Sequence, residues 1–151
     1  MNINVKEVKS RKDLKTFIYL PEKIHKEHEK WVHPVYFDEW KYFSKNKNKA
    51  FSYCDTILLI AFQGEKPVGR IMGIINRRYN EHRNEKTARF GYLETYENIE
   101  IVKTLLNHVE DWARRKGMNK IIGPYGFTDQ DPEGFLIEGF DSHSTIAVSY
   151  T

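Results

Sequence analysis

Few residues in this 151-residue chain have the types and spacing that metal-dependent chemistry requires. His25 and His28 stand three apart beside several glutamates, but a metal site there would need further ligands, so a solvated helix surface is the favoured interpretation. Asp129, Asp131 and Glu133 alternate as in a calcium loop, yet the glycine and the final glutamate are missing from the expected offsets. We therefore expect no metal site.

Nucleophilic and phosphate-binding motifs are equally sparse. The single cysteine, Cys54, has no histidine close to it in the sequence, which favours an incidental thiol, and one cysteine is typical of a reducing compartment. No glycine motif of the Walker or dinucleotide-binding type is present. The net charge of +3 is small for a nucleic-acid binder, and no stretch approaches membrane-spanning length or a signal peptide. We expect a cytoplasmic protein with no nucleic-acid or membrane partner.

Any site must be positioned by the elements around residues 55–76. Two apolar runs, residues 56–62 and 68–75, flank a short polar segment that contains Gly64 and Pro67. Runs of this length bounded by turn formers predict an antiparallel hairpin. The first run is almost continuously apolar, as expected for a strand that is covered on both faces. The hairpin should therefore form the centre of a sheet.

The N-terminal third predicts a strand followed by helical segments. Residues 3–8 alternate in polarity as a strand does, and Ser10 is a plausible N-cap of a first helix. Pro21 should interrupt or restart that helix, because proline removes a backbone donor. Residues 22–30 are then expected to continue as an exposed helix.

The aromatic-rich residues 31–43 predict a loop that leads into a short helix near Asp38. This segment is either a lid on the sheet or a wall of a ligand pocket, since aromatic side chains supply much of the area in such sites. The polar residues 77–86 predict a solvated loop. A third sheet strand is expected at residues 87–95, with Gly91 marking a bulge or a close backbone approach.

Residues 98–116 form the clearest helical pattern, with apolar side chains at the 3.6-residue period and Gly117 as a natural residue after the last turn. A short strand at residues 118–122 should lie parallel to the strand at 87–95. The glycine-, proline- and acid-rich segment 123–135 follows it directly. Such loops, beyond the carboxyl ends of parallel strands, are where open α/β sheets place ligands.

This order of elements resembles the GNAT superfamily of acyl-CoA-dependent N-acyltransferases, over nearly the whole chain. Several short motifs are similar to those of a bacterial GNAT-like family: Trp31-Val-His-Pro, Pro67-Val-Gly-Arg-Ile, Phe90-Gly-Tyr-Leu-Glu, Lys116-Gly-Met, Gly123-Pro and Glu138-Gly-Phe-Asp. The resemblance implies a mixed α+β fold with a mostly antiparallel central sheet, one parallel strand pair and helices on both faces. It also implies one domain over residues 1–151, ending before the last helix and strand of that fold.

The resemblance further implies transfer of an acyl group from acetyl-CoA or another acyl-CoA to an unidentified small-molecule or peptide amine. The reaction needs a base for the amine and a proton for the leaving thiolate. Glu94 ends the strand on which many such enzymes place their base, and Tyr150 has the position of a proton donor. Acyl-CoA would lie beside Tyr92, Leu93 and Thr95.

Two departures from that pattern leave a second hypothesis open. GNAT enzymes bind pyrophosphate on a glycine-containing loop at a helix N-terminus, but residues 94–101 here contain no glycine and three carboxylates. The predicted final strand, residues 145–150, would also present an open sheet edge that could pair with a second copy of the chain. The alternative is therefore a non-catalytic binding or assembly module on the same fold. Tyr125 could line a pocket in either case.

Overall fold

The computed structural model describes residues 2–143 and shows a mixed α+β fold. Its strands are β1 (Ile3–Glu7), β2 (Cys54–Gln63), β3 (Lys66–Asn76), β4 (Thr87–Thr95) and β5 (Lys120–Ile122). Its helices are α1 (Arg11–Ile24), α2 (Tyr36–Tyr42), α3 (Arg77–Arg83) and α4 (Ile99–Arg115), with a 3-10 turn at Lys49–Ser52. Among these described strands the sheet order is β1-β2-β3-β4-β5, and only the β4–β5 pair is parallel.

An apolar cluster covers each face of the sheet. On the face that we call the α1 face, α1 and α2 pack against β2 and β3 around Phe17 and Met72. On the opposite face, the α4 face, Leu105 and Val109 pack against Ile71. Successive strand residues point to opposite faces, so β3 supplies both clusters. The predicted fold class, with helices on both faces and the hairpin at the centre, is confirmed.

The C-terminal half also follows the sequence prediction. Helix α4 ends at Arg115, and Gly117 has the positive φ of +81° that favours glycine after a last turn. The chain then enters β5, whose Lys120 and Ile122 pair with Thr87 and Arg89 of β4 in a parallel register. The predicted strand at residues 145–150, with its open edge, lies outside the described residues.

Two predictions for the first 30 residues are wrong. Pro21 lies inside α1 and does not interrupt it. Its missing N–H would have bonded to the carbonyl oxygen of Phe17, and the Arg70 Nη1 donates to that oxygen instead, at 2.8 Å. The helix also ends at Ile24, so residues 22–24 are helical as predicted but residues 25–30 form a series of turns and not a continuing helix.

The polar segment 77–86 is likewise not a simple loop, because residues 77–83 form α3. The Asn76 side chain accepts a hydrogen bond from the Tyr79 backbone N–H and caps the helix start. Asn84 ends it in the left-handed conformation, with φ of 53°. By contrast, the predicted loop and short helix of residues 31–43 are confirmed by α2.

Candidate active site

The site is built where β4 extends beyond the end of β5. The two strands pair only from Thr87 to Arg89, and the next backbone contact is a 2.8 Å hydrogen bond from Tyr125 N–H to Phe90 O. A Cβ on Gly91 would lie 2.7 Å from the Tyr125 carbonyl oxygen, so the close backbone approach predicted at this glycine is confirmed. Since β5 ends at Ile122 and β4 continues to Thr95, the last residues of β4 extend beyond the end of β5.

A bulge reshapes β4 immediately after Gly91. Arg70 of β3 pairs with Glu94 and Met72 pairs with Gly91, so one residue of β3 faces two residues of β4. Tyr92 has a φ of 55°, which is rare for a residue with a side chain. A bulge of this kind interrupts the ladder and turns backbone groups out of it. The predicted bulge is therefore present, one or two residues beyond the glycine.

Glu94 lies on the α1 face and contacts a histidine from the end of α1. Its Oε2 is 2.6 Å from His25 Nε2, and the two side chains are 30% and 20% exposed. His25 Nδ1 is in turn 2.9 Å from His28 Nδ1. The ring of Trp31 stacks on His25, with centroids 5.3 Å apart. His25 is thus half-buried and part of the site, so its interpretation as solvated helix surface is wrong, whereas His28 is exposed to solvent.

Short turns after α1 bring these rings together. The His25 N–H donates to the Pro21 carbonyl, the His28 N–H to the His25 carbonyl, and the Trp31 N–H to the His28 carbonyl. Glu94 is 69 residues away from His25 in the sequence. No local pattern therefore signals the contact, so sequence reasoning singled out His25 without predicting its pairing with Glu94.

A buried arginine, Arg70, is a neighbour of the Glu94 carboxylate. Arg70 is 5% exposed, and its guanidinium is 4.9 Å from the centre of the Phe17 ring. Burial lowers the pKa of Arg70, while the charges of Glu94 and Glu39 act in the opposite direction. Burial has the opposite effect on Glu39, because it raises the pKa of that carboxyl, and the charge of Arg70 opposes that shift. The site therefore holds two carboxylates and one guanidinium on the α1 face.

The three residues predicted to contact acyl-CoA pack their side chains into the two faces of the sheet. Tyr92 makes an edge contact with the Phe43 ring on the α1 face, and burial raises its pKa. Leu93 packs in the cluster on the α4 face. Thr95 is close to Gly69, where an added Cβ would meet the Thr95 methyl at 2.9 Å.

The start of α4 has no glycine loop. The Asn98 side chain accepts a hydrogen bond from the Glu100 N–H, at 2.9 Å, and so caps the helix itself. Glu100 places a carboxylate in the first turn, and the neighbouring Ile99 is 62% exposed. The negative charge opposes anion binding at this helix end.

The loop after β5 is fixed by a second buried arginine. Arg89 Nη1 donates to the carbonyls of Gly126 and Phe127, at 3.1 and 2.9 Å, and its guanidinium lies over the Tyr125 ring. Tyr125 therefore packs on Arg89. Asp131 accepts hydrogen bonds from the Tyr42 hydroxyl and the Thr128 N–H.

The described residues contain no group of three or more His, Cys, Asp or Glu side chains placed to hold a metal ion. Tyr150 lies outside those residues. Two grooves, of about 410 and 660 Å³, do not include Glu94 or His25. Strand geometry and side-chain contacts, not cavity size, therefore identify the site.

No helix within residues 2–143 has the length and apolar character needed to cross a membrane.

Comparison with known proteins finds long relatives of this chain. The chain is 24% identical over 150 residues to a bacterial ceramide synthase of Caulobacter vibrioides, covering 99% of this chain and 39% of that protein. It is 27% identical over 133 residues to protein YghO of Escherichia coli, covering 88% and 34%. The chain thus spans between a third and two-fifths of the length of these curated relatives.

The fold is similar to that of solved acetyltransferases. The PaiA N-acetyltransferase of Thermoplasma acidophilum, crystallised with coenzyme A, superposes with a TM-score of 0.52 and 25% identity, covering 78% of this chain and 76% of that one. The Acetyltransferase (GNAT) family profile matches residues 17–131, well over half of the sequence. The chain therefore belongs to the GNAT family of acetyltransferases.

Proposed function

We propose that this chain transfers an acyl group from acyl-CoA to a primary amine, with Glu94 as the base. The observation that carries the proposal is the bulge between β3 and β4, which lies beyond the end of β5, with a carboxylate two residues further along β4. The thioester would lie beside the backbone of Tyr92, Leu93 and Thr95. A backbone N–H freed by the bulge is a suitable donor to the developing oxyanion.

The reaction forms one bond and breaks one. Glu94 takes a proton from the ammonium, and the free amine attacks the thioester carbonyl to form a C–N bond. The C–S bond then breaks and coenzyme A leaves as a thiolate. Tyr150 is the proposed donor of a proton to that thiolate. The attacking nitrogen loses a second proton as the amide forms, and this proton restores the Tyr150 hydroxyl through solvent, while the proton taken by Glu94 passes to solvent. The products are an amide and coenzyme A.

Two observations support a proposal for the nature of the donor and acceptor. One relative is named a ceramide synthase, and a ceramide is the amide of a long-chain amino alcohol. Within residues 123–143, which follow β5, four large apolar side chains are exposed, Phe135, Leu136, Ile137 and Phe140. These observations favour a long-chain donor or acceptor over small ones, so octanoyl-CoA and a sphingoid amine belong in the assay beside acetyl-CoA and small amines.

The alternative function is a non-catalytic binding or assembly module. The acidic, glycine-free start of α4 favours it, because the pyrophosphate of coenzyme A would meet Glu100 there. Calorimetry with acetyl-CoA and octanoyl-CoA separates the two functions. Absence of binding to the folded chain would support the module, and light scattering would then test for assembly through a sheet edge.

Turnover of Glu94→Gln tests the role of the base. Released coenzyme A is measured with a thiol reagent, and we expect kcat to fall about 10²- to 10⁴-fold, with acyl-CoA binding retained. Glu65→Gln, an exposed glutamate in the turn between β2 and β3, is the matched control and should keep wild-type turnover. Wild-type kcat in Glu94→Gln would contradict the assignment of the base.

A further inference from the structure

We propose that His25 is a positioning residue for the Glu94 carboxylate and that His28 fixes the tautomer of His25. The inference deepens the proposed acyl transfer and rests on it. It assigns a task to two histidines that the base mechanism does not itself require. The evidence is a continuous line of contacts from Glu94 Oε2 through both nitrogens of His25 to His28 Nδ1.

Hydrogen-bond chemistry restricts the protons along this line. An ionised carboxylate only accepts, so at 2.6 Å the Nε2 of His25 must carry the proton that it donates to Glu94. In a neutral His25 ring, Nδ1 is then the acceptor. His28 Nδ1, 2.9 Å away, is the donor that satisfies it. The His28 N–H therefore donates a hydrogen bond to His25, and the His25 N–H donates one to Glu94.

This arrangement of protons gives the two oxygens of the Glu94 carboxylate different roles. Oε2 is held by His25, whereas among residues 2–143 no hydrogen bond to Oε1 is present. One oxygen is thus fixed and the other is left to take the proton of the amine. Trp31 stacks on His25 and limits rotation of the ring, while Arg70 faces Glu94 from the neighbouring strand. Holding a base in one orientation increases the fraction of productive encounters.

Three variants test this positioning role. His25→Leu removes the donor, and we expect kcat to fall roughly 10- to 100-fold while KM for acyl-CoA changes by less than about twofold. His25→Gln offers an amide N–H near the former Nε2, so it should recover most of kcat. His28→Leu should lower kcat by about threefold, because His25 keeps its donor but loses its fixed tautomer. The control is His108→Leu, an exposed histidine of α4, with wild-type kinetics.

Nitrogen-15 NMR of the imidazole rings provides a readout that is independent of turnover. We expect His25 in the Nε2–H tautomer in the wild-type chain and a tautomer mixture in His28→Leu. A His25 ring in the Nδ1–H tautomer, or wild-type kcat in His25→Leu, would overturn the inference. If the wild-type chain transfers no acyl group, the proposed function fails instead, and the NMR result alone decides whether the histidines order the carboxylate.

Discussion

Two arginines on adjacent strands of the sheet have the same burial and different environments. Arg70 on β3 and Arg89 on β4 are each 5% exposed and both face the α1 side. Arg70 has carboxylates as neighbours, Glu94 and Glu39, and donates to one backbone carbonyl. Arg89 donates to two backbone carbonyls and lies between the rings of Tyr79 and Tyr125.

The difference shows that a buried arginine can have two different structural roles in the same sheet. Arg89 stabilises a loop, because its donors satisfy carbonyls that no sheet or helix partner satisfies. Arg70 joins three elements: it caps the carbonyl that Pro21 leaves open in α1, and it faces the acidic residues of α2 and β4. We therefore expect loss of Arg70 to alter the site and loss of Arg89 to alter the loop after β5.

The largest expected effect is that of Arg70→Met. It leaves the Phe17 carbonyl without its side-chain donor and two partly buried carboxylates without a neighbouring cation, which should lower the free energy of unfolding by about 3 kcal/mol. Urea denaturation measures this loss. The control is Arg77→Met, whose ion pair with Asp55 is about half exposed and should contribute less than about 1 kcal/mol. Equal losses in both variants would contradict the role of Arg70.

Arg89→Met should have a smaller and more local effect. Loss of its hydrogen bonds to the Gly126 and Phe127 carbonyls is expected to cost about 2 kcal/mol. Amide hydrogen exchange should accelerate in residues 123–131 and stay close to wild type in α1 and β3. Uniform acceleration over the whole chain would show that Arg89 stabilises the fold globally rather than this loop.

Part of this fold could be predicted from the sequence. The apolar runs of β2 and β3, and the 3.6-residue period of α4, determine their elements because burial of a whole face dominates locally. The helix at residues 77–83 was not predictable from polarity, since its start depends on a single cap at Asn76. Pro21 was misleading for a related reason: the donor that compensates for it, Arg70, lies 49 positions further along the chain.

Only the part of the candidate site that lies on β4 was predictable from the sequence. Glu94 could be inferred from its place at the end of β4, within a resemblance that covers the strand. His25 and Arg70 could not, because their relation to Glu94 arises from packing of α1 across β3 and β4. A charged residue between Gly69 and Ile71, inside an apolar strand, was nonetheless a usable signal, since an unpaired charge is rarely buried.

The smallest expected effect concerns Cys54, whose thiol reports on the surroundings of Arg89. Burial raises the pKa of the Cys54 thiol to about 11, and the charges of Arg89 and Arg77 oppose the shift. The unfolded thiol ionises near 9, so the stability due to this group is complete below pH 9 and is lost as the pH rises towards 11. Comparison with Cys54→Ala isolates this part from other titrating groups.

Alkylation of native Cys54 as a function of pH then separates the two arginines. Only the thiolate reacts, so the rate in the wild-type chain should rise to a midpoint near 11. Arg89→Met removes an opposing cation and should move the midpoint higher, whereas Arg70, which has no such influence on the thiol, should leave it unchanged when replaced by methionine. A midpoint that moves equally in both variants would mean that the two ends of the sheet are coupled, and that each arginine acts on the whole α1 face.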